Sequence, residues 1–427
     1  MSDYHRIRAL FPDHLGLARG KYLPAHLASK GTRHCLSLFA LNFDRTMVPA
    51  PGARMLEGLP DCELVLSMDE VRPSWEEGTG VVVGDLFFHG EPLAIAPRHV
   101  LRKAIDDWKA LGYRAKVGIE LEAFVLQPDG RGGWTEWDTP TAYVYGTGPA
   151  VDPVGLIDEI MRTATACGLP VESINSEYDT PQFELTLVFD DVLKAVDDVF
   201  LFKLMARELA ARRGLLLTFI GKPFADRGGS GFHVNLSLHD GLGANMLHDA
   251  AAADGLSALA RQCIAGMLAH FEGCAGICAP TVNAYKRLKP AQLAGFWANW
   301  GYDHRGVSVR VPHERGNGTR LEHRMADGAA NPYLATAAVL QAARLGVVAG
   351  HSLQPPEEQD CLTAQSATRH VPENLSLALD ALEADHALVH AIGPELVAQF
   401  VAVKRGEWDK FKAAVTDWEL KTYLPFL

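Results

Sequence analysis

The sequence predicts an α+β protein of two domains: a small sheet-rich N-terminal domain over residues 1–96 and a large domain of mixed helices and strands over residues 97–427. Three observations predict it. The first ~95 residues hold short β-like runs between Pro, Gly and Asp turn signals. Pro97 then stands at the first position of a helical pattern. Beyond it, long helical patterns alternate with five short stretches that switch strictly between apolar and polar residues.

In order along the chain, β-like runs cover residues 35–40, 63–67 and 80–88. Residues 98–111 follow as a helix, with Val100, Leu101, Ala104, Ile105 and Trp108 at helical spacing. Further helices are expected over 152–167, 190–213, 245–271 and 330–349, the last Ala- and Leu-rich and therefore buried. The tail from residue 373 reads as two or three amphipathic helices, including 378–386 and 406–418.

The alternating stretches are Gly118-Ile119-Glu120-Leu121-Glu122-Ala123, Gln182-Phe183-Glu184-Leu185-Thr186-Leu187, Phe232-His233-Val234-Asn235-Leu236-Ser237-Leu238, Val307-Ser308-Val309-Arg310-Val311 and Arg320-Leu321-Glu322-His323-Arg324-Met325. A period of two sends successive side chains to opposite faces of a strand. In one shared sheet, the apolar face would pack on a core while the other gathers carboxylates, an imidazole and guanidiniums. Any one stretch alone is explained by a solvated sheet face. Glu120 beside Glu122, however, should repel unless a cation lies between them.

Bulk properties narrow the function. At 427 residues the chain exceeds a single ordinary core. Nearly half of it is hydrophobic (48%) and mean hydropathy is close to zero, as in globular enzymes. A net charge of -12 argues against a nucleic-acid surface. No apolar run is read as long enough for a membrane span, and Met1-Ser2-Asp3-Tyr4-His5 lacks a secretion signal. Seven cysteines, an odd number without CxxC spacing, are expected as reduced and mostly buried thiols in a cytoplasmic protein. Gly228-Gly229-Ser230-Gly231 lacks the GxGxxG spacing and opens a strand, and no Walker A motif is present.

Carboxylates arrayed without cysteine suit hard cations, Mg²⁺ or Mn²⁺. Glu120, Glu122, Glu177, Glu184, His233 and Glu322 are enough for two ions at three protein ligands each. A lone strand histidine is more often structural, but this one falls among carboxylates. Arg287, Arg305, Arg310, Arg320 and Arg324 lie within 38 residues. Guanidinium forks bind carboxylates and phosphates, although an interface salt-bridge network would use them too. Metal ligands, arginines and no nucleophile motif together suggest phosphoryl transfer from a nucleotide to an acceptor oxygen.

With these residues in order, the chain resembles the glutamine synthetase family. The paired-glutamate strand, the segment from Glu177 to Glu184, Lys222-Pro223 with the glycine-rich strand, Pro280-Thr281-Val282-Asn283-Ala284-Tyr285-Lys286-Arg287-Leu288, the two arginine strands and Ala330-Asn331-Pro332-Tyr333-Leu334 all match its pattern. The resemblance spans essentially the whole chain. It implies a β-grasp-like N-terminal domain and a catalytic domain whose antiparallel sheet lines a funnel-shaped site, in a double-ring dodecamer with each site completed by a neighbour. By matched position, Glu122, Glu177 and Glu184 would hold one ion, and Glu120, His233 and Glu322 another. Arg287, Arg324 and the Gly229 backbone would hold glutamate. Arg305 and Arg310 would face the ATP phosphates and the developing acyl phosphate, with Asn235, Ser237 and Arg320 on the nucleotide side. Arg305 and the N-terminal Asp44, which Asp69 or Asp85 could replace, are the expected catalytic side chains.

One departure matters. In ammonia-using members a glutamate on a flap after the Asn-x-Tyr-x-Arg run helps bind ammonium, and Leu293 aligns there. Losing that anion leaves room for an apolar substituent, which Trp297 and Trp300 could border or ignore as core aromatics. No tyrosine for adenylylation lies in residues 350–356. The expected function is ATP-dependent ligation of glutamate to an amine larger than ammonia, through γ-glutamyl phosphate. Open alternatives are a glutamine synthetase with a divergent flap, another carboxylic acid in place of glutamate, and a catalytically silent member.

Overall fold

The computed structural model describes residues 4–427. Strands β1 (Arg6–Pro12), β2 (Ala18–Pro24), β3 (Thr32–Cys35), β4 (Asp61–Val65), β5 (Arg72–Pro73), β6 (Thr79–Val83), β7 (Asp85–Phe88) and β8 (Glu91–Pro92) form the N-terminal region. They make two four-stranded sheets, ordered β2-β1-β6-β5 and β3-β4-β7-β8. The first has β1 and β6 as a central parallel pair, with β2 antiparallel at its side. The β1–β2 turn is built by buried Asp13, whose carboxylate accepts from the Leu15 and Leu17 amides and pairs with Arg19 at 2.7 Å. Asn331 donates to the Asp13 carbonyl at 2.8 Å, fastening this hairpin to the rest of the chain.

The first turn of helix α1 (Pro97–Ala110) holds Arg98, buried between Asp85 at 2.6 Å and Asp197 at 2.8 Å. Tyr333 also donates to Asp197. A buried guanidinium is tolerated only with such partners.

The catalytic sheet contains β9 (Arg114–Pro128), β10 (Trp134–Glu136), β11 (Val171–Ser176), β12 (Gln182–Asp191), β13 (Leu216–Thr218), β14 (Phe232–His239), β15 (Trp300–Tyr302), β16 (Val309–Val311) and β17 (Leu321–His323). Its main path runs β11-β12-β9-β14-β17-β16-β15, so all five alternating stretches do share one sheet. Ile119, Leu121, Leu185, Phe232, Val234 and Leu321 fill its buried face.

The helices are α2 (Leu156–Ala166), α3 (Val192–Arg212), α4 (Ala258–Ala269), α5 (Phe271–Cys278), α6 (Ala284–Arg287), α7 (Pro332–Ala349), α8 (Leu375–Ala384), α9 (His386–Ile392), α10 (Pro394–Ala413) and α11 (Asp417–Tyr423). Helix α3 lies on β9 and β12, and α7 packs on α4 and α1. Gly266 and Gly346 let α4 and α7 touch backbone to backbone; a Cβ on either would come within 2.5–2.7 Å of the other's main chain. Trp108 is fully buried and donates from its indole to the Leu340 carbonyl at 3.0 Å. Trp108→Ala is expected to destabilise the protein by about 3–5 kcal/mol, read as a lower urea midpoint.

Several expectations are corrected. Residues 35–40 are mostly a short 3₁₀ turn, Leu36–Ala40, and not a strand. The 80–88 run breaks at Gly84 into two strands that belong to different sheets. Helix α2 starts later than read, because Asp152 accepts from the amides of Leu156, Ile157 and Asp158 and so sits ahead of it. Residues 245–257 are irregular: Asn245, Asp249 and Asp254 side chains bind nearby amides and draw the backbone out of helix. Ser257 then caps α4. The tail holds four helices. Helix α7 is apolar and long enough to cross a membrane by composition, contrary to the sequence reading, but it is largely buried inside the protein. All seven cysteines are free thiols, six of them buried.

Candidate active site

The register of the central strands assembles the site. Glu184 of β12 lies opposite Glu122 of β9, and Glu120 opposite His233 of β14. Asn235 pairs with Glu322 of β17, which in turn pairs with Arg310 of β16. Directly opposed side chains are close enough to interact. Four neighbouring strands therefore deliver five potential ligands to one face.

Two overlapping groups of potential ligand atoms result: Glu120, His233 and Glu322, and Glu122, Glu184 and His233, each with its atoms within 4.8 Å of one another. His233 Nδ1 stands 3.1 Å from Glu120 and 3.5 Å from Glu322, and its Nε2 stands 3.7 Å from Glu122. Glu177, expected beside Glu122 and Glu184, falls outside both groups. It precedes β12, its amide bonded to the Gln182 carbonyl. It remains near enough for Glu122, after burial, to push its carboxyl above the usual range.

The glycine run closes the other side. The Gly231 amide donates to Glu122 at 2.7 Å, and Gln182 donates to the Gly229 carbonyl at 2.9 Å. A Cβ on Gly229 would meet the Gly221 carbonyl and the Arg287 side chain, so only glycine lets the backbone come this close. Arg287 is buried, with its guanidinium on the Met325 carbonyl at 3.0 Å and the Arg324 carbonyl at 3.3 Å. Glu322 is fully buried and accepts from Arg310 at 2.9 Å and from Arg324.

The remaining expected residues are spread more widely. Asn235 donates to Glu120 at 2.9 Å and accepts from Arg320 at 3.3 Å. With Ser237 and Arg320 it lines a cavity of about 290 Å³ that also reaches Glu120. Arg305 is exposed on the loop between β15 and β16. Asp44 is exposed and paired with Lys410, and none of its hydrogen bonds reaches the cluster. Its rival Asp85 is held by Arg98 and Arg102. Trp300 is a core residue, its indole on the Gln354 carbonyl. Trp297 packs against Phe296 and His370.

The acids are shifted in opposite senses, up by burial and like charge and down by His233. Burial first, then Glu120, pushes the Glu184 carboxyl up to about 7. Burial also raises Glu120, but the hydrogen bond and charge of His233, with Asn235, outweigh it and hold that carboxyl low. Because Glu184 keeps its proton longer in the folded state than its ordinary 4.5, the metal-free protein should lose stability as pH rises from there to about 7. A divalent ion needs the ionised form. Adding Mg²⁺ near pH 6 is therefore expected to release about one proton per chain, fading by about pH 8, as read by calorimetry in two buffers.

Sequence reasoning missed Asp327. It is fully buried under the glycine run, one carboxylate oxygen has no partner, and burial pushes it up to about 6 against the pull of Arg287. A Cβ on Gly221 would strike it. Its place between two matched motifs was the available signal.

A sheet face that clusters acids, a histidine and arginines beside a glycine run defines a class: enzymes that handle phosphate with divalent ions. Comparison makes this specific. Residues 94–423 match the family described as glutamine synthetase, catalytic domain. A glutamine synthetase of Clostridium saccharobutylicum is 35% identical over 343 residues, 78% of this chain and 77% of its own. A protein of Streptomyces coelicolor named gamma-glutamylethanolamide synthetase GlnA4 is 33% identical over 436 residues, 98% of this chain and 92% of its own. Among solved structures, ligand-free GmaS superposes with a TM-score of 0.86 at 30% identity, covering 99% of this chain and 97% of that one. GmaS has also been solved with ADP. The chain belongs to the glutamine synthetase family, and is an ATP-dependent carbon–nitrogen ligase.

Proposed function

We propose that the protein joins glutamate to an amine larger than ammonia, forming a γ-glutamyl amide. The observation that carries this reading is Leu293. In our alignment this residue takes the place of the anion of ammonia users; its side chain is apolar and half-exposed, and its carbonyl lies 3.4 Å from the Arg324 guanidinium. The Streptomyces coelicolor relative named gamma-glutamylethanolamide synthetase supports the same reading.

The clustered acids suit hard divalent ions, since five carboxylates and an imidazole without cysteine are an oxygen-rich donor set. In our assignment Glu120, His233 and Glu322 hold one ion, and Glu122 and Glu184 another, with Glu177 the nearest further carboxylate. Such ions would neutralise phosphate charge as Lewis acids. Arg287 and Arg324, with the Gly229 backbone, orient the glutamate carboxylates. The γ-carboxylate attacks the ATP γ-phosphorus in line, giving γ-glutamyl phosphate and ADP, and Arg305 and Arg310 steady the transferring charge. Asn235, Ser237 and Arg320 sit toward the nucleotide. The amine nitrogen then attacks the acyl carbon, phosphate leaves with the electron pair of the broken C–O bond, and the nitrogen gives up its proton to that phosphate.

Asp44 lies off its own cluster, which supports a site completed by a neighbour's N-terminal domain in a homo-oligomer, the double-ring dodecamer of our expectation. We assign the N-terminal domain to residues 1–96, and the cytoplasm as the place of action.

A second reading, glutamine synthesis from ammonia, is favoured by the relatives named glutamine synthetase. One assay separates the two: ATP, Mg²⁺ and glutamate with ammonia, methylamine, ethanolamine and a diamine, following phosphate release. A substituted amine should show the higher kcat/KM, by about tenfold or more. Ammonia as the best acceptor would establish the second reading.

A further inference from the structure

A second cavity, about 410 Å³, opens on the other side of the catalytic sheet. Neighbouring residues of a strand face opposite ways, so Phe232 and His233 of β14 point apart. Lys203 of α3 reaches the Phe232 side, its ammonium 5.9 Å from that ring and 4.6 Å from Phe219. The cavity is therefore separated from the carboxylate cluster by the sheet itself. Leu204, Phe219, Ile220 and Val282 give it apolar walls.

Its charges are unbalanced. Lys203 donates one N–H to the Gly328 carbonyl at 2.8 Å, which leaves two donors. Arg207 follows one helical turn later and also lines the cavity. Like charges at this spacing repel, and neither has a carboxylate ion-pair partner among the described residues. Glu407, the one acid in the lining, is already bound to Lys404 at 2.9 Å. Burial, then Arg207, pushes the Lys203 ammonium down to about 7, with Asp327 opposing. A half-buried ammonium beside Arg207, with only the more distant Asp327 opposing, is poorly compensated, and an anion entering the cavity would relieve it.

We propose that this cavity binds a small carboxylic acid with an apolar body, its carboxylate between Lys203 and Arg207 and its body against Phe219, Ile220 and Val282. The volume falls within the range of about 300–1,000 Å³ typical of small-molecule sites. The site shares a wall with the glycine run. Asn283 in the lining holds the Lys222 amide at 2.7 Å and its carbonyl at 2.9 Å, and the Gly328 amide bonds the Ser230 carbonyl at 2.9 Å.

The test is fluorine NMR titration of the full chain with 4-(trifluoromethyl)phenylacetate and its neutral amide. Saturable binding of the carboxylate is expected, weaker by about tenfold or more for the amide and for Lys203→Met and Arg207→Gln, and undisturbed by saturating glutamate and ATP. Arg207 is exposed, so Arg207→Gln remains informative even if Lys203→Met fails to fold. No saturable binding, equal binding of the amide, displacement by glutamate and ATP, or full affinity in Arg207→Gln would each overturn the proposal. A cavity sealed by a second copy of the chain reads out as no binding.

Discussion

Glu322→Gln is expected to lower kcat by about a thousandfold or more while leaving the chain folded. Glu322 is fully buried, 3.5 Å from His233, and accepts from both Arg310 and Arg324. Glutamine keeps the shape and one acceptor for the guanidiniums but removes the anion that a divalent ion requires. Alanine would be a poorer probe. It would strand Arg324, which is largely buried, while Arg310 would keep only Asp303, and unpairing a buried charge costs about 3–5 kcal/mol, so lost activity could reflect lost fold. Initial rates with saturating Mg²⁺, ATP, glutamate and amine decide the matter, beside a thermal melt. Activity within tenfold of the parent, with the melt unchanged, would remove Glu322 from the metal set.

Leu293→Glu is expected to move acceptor preference toward ammonia, raising the ammonia-to-alkylamine ratio of kcat/KM by about tenfold or more. A carboxylate at that point attracts ammonium and accepts its proton, while displacing an apolar substituent. Arg324 complicates the experiment, since its guanidinium already meets the Leu293 carbonyl. A new carboxylate would partly neutralise it and raise the KM for glutamate. That penalty is common to all amines, so the ratio between amines is insensitive to it. An unchanged ratio would mean that position 293 does not border the acceptor.

The site strands were legible because a half-buried sheet must alternate, and this one alternates with acids in place of neutral polar residues. Glu120, Glu122, Glu184, His233 and Glu322 could be read from that pattern, and they converge. Glu177 could not be placed the same way. It stands before β12, where no periodicity fixes its direction, and it falls outside both ligand groups. The same limit explains residues 35–40 and 245–257. Their apolar content suited a strand or a helix, but local turns and side chains that compete for backbone amides decided the conformation.

By itself, the sequence determined which side chains share a sheet face, where α1 begins at Pro97, and the family to which the ordered motifs belong. Those properties are carried by spacing along the chain. Only the tertiary structure decided that Glu184 holds its proton to about 7 while Glu120 is held low. It also decided that Asp327 lies buried under the glycine run, and that Lys203 lines an apolar cavity with no ion-pair partner among the described residues. These depend on desolvation and on charges contributed from distant segments, and a carboxylate's neighbours in space are not its neighbours in sequence.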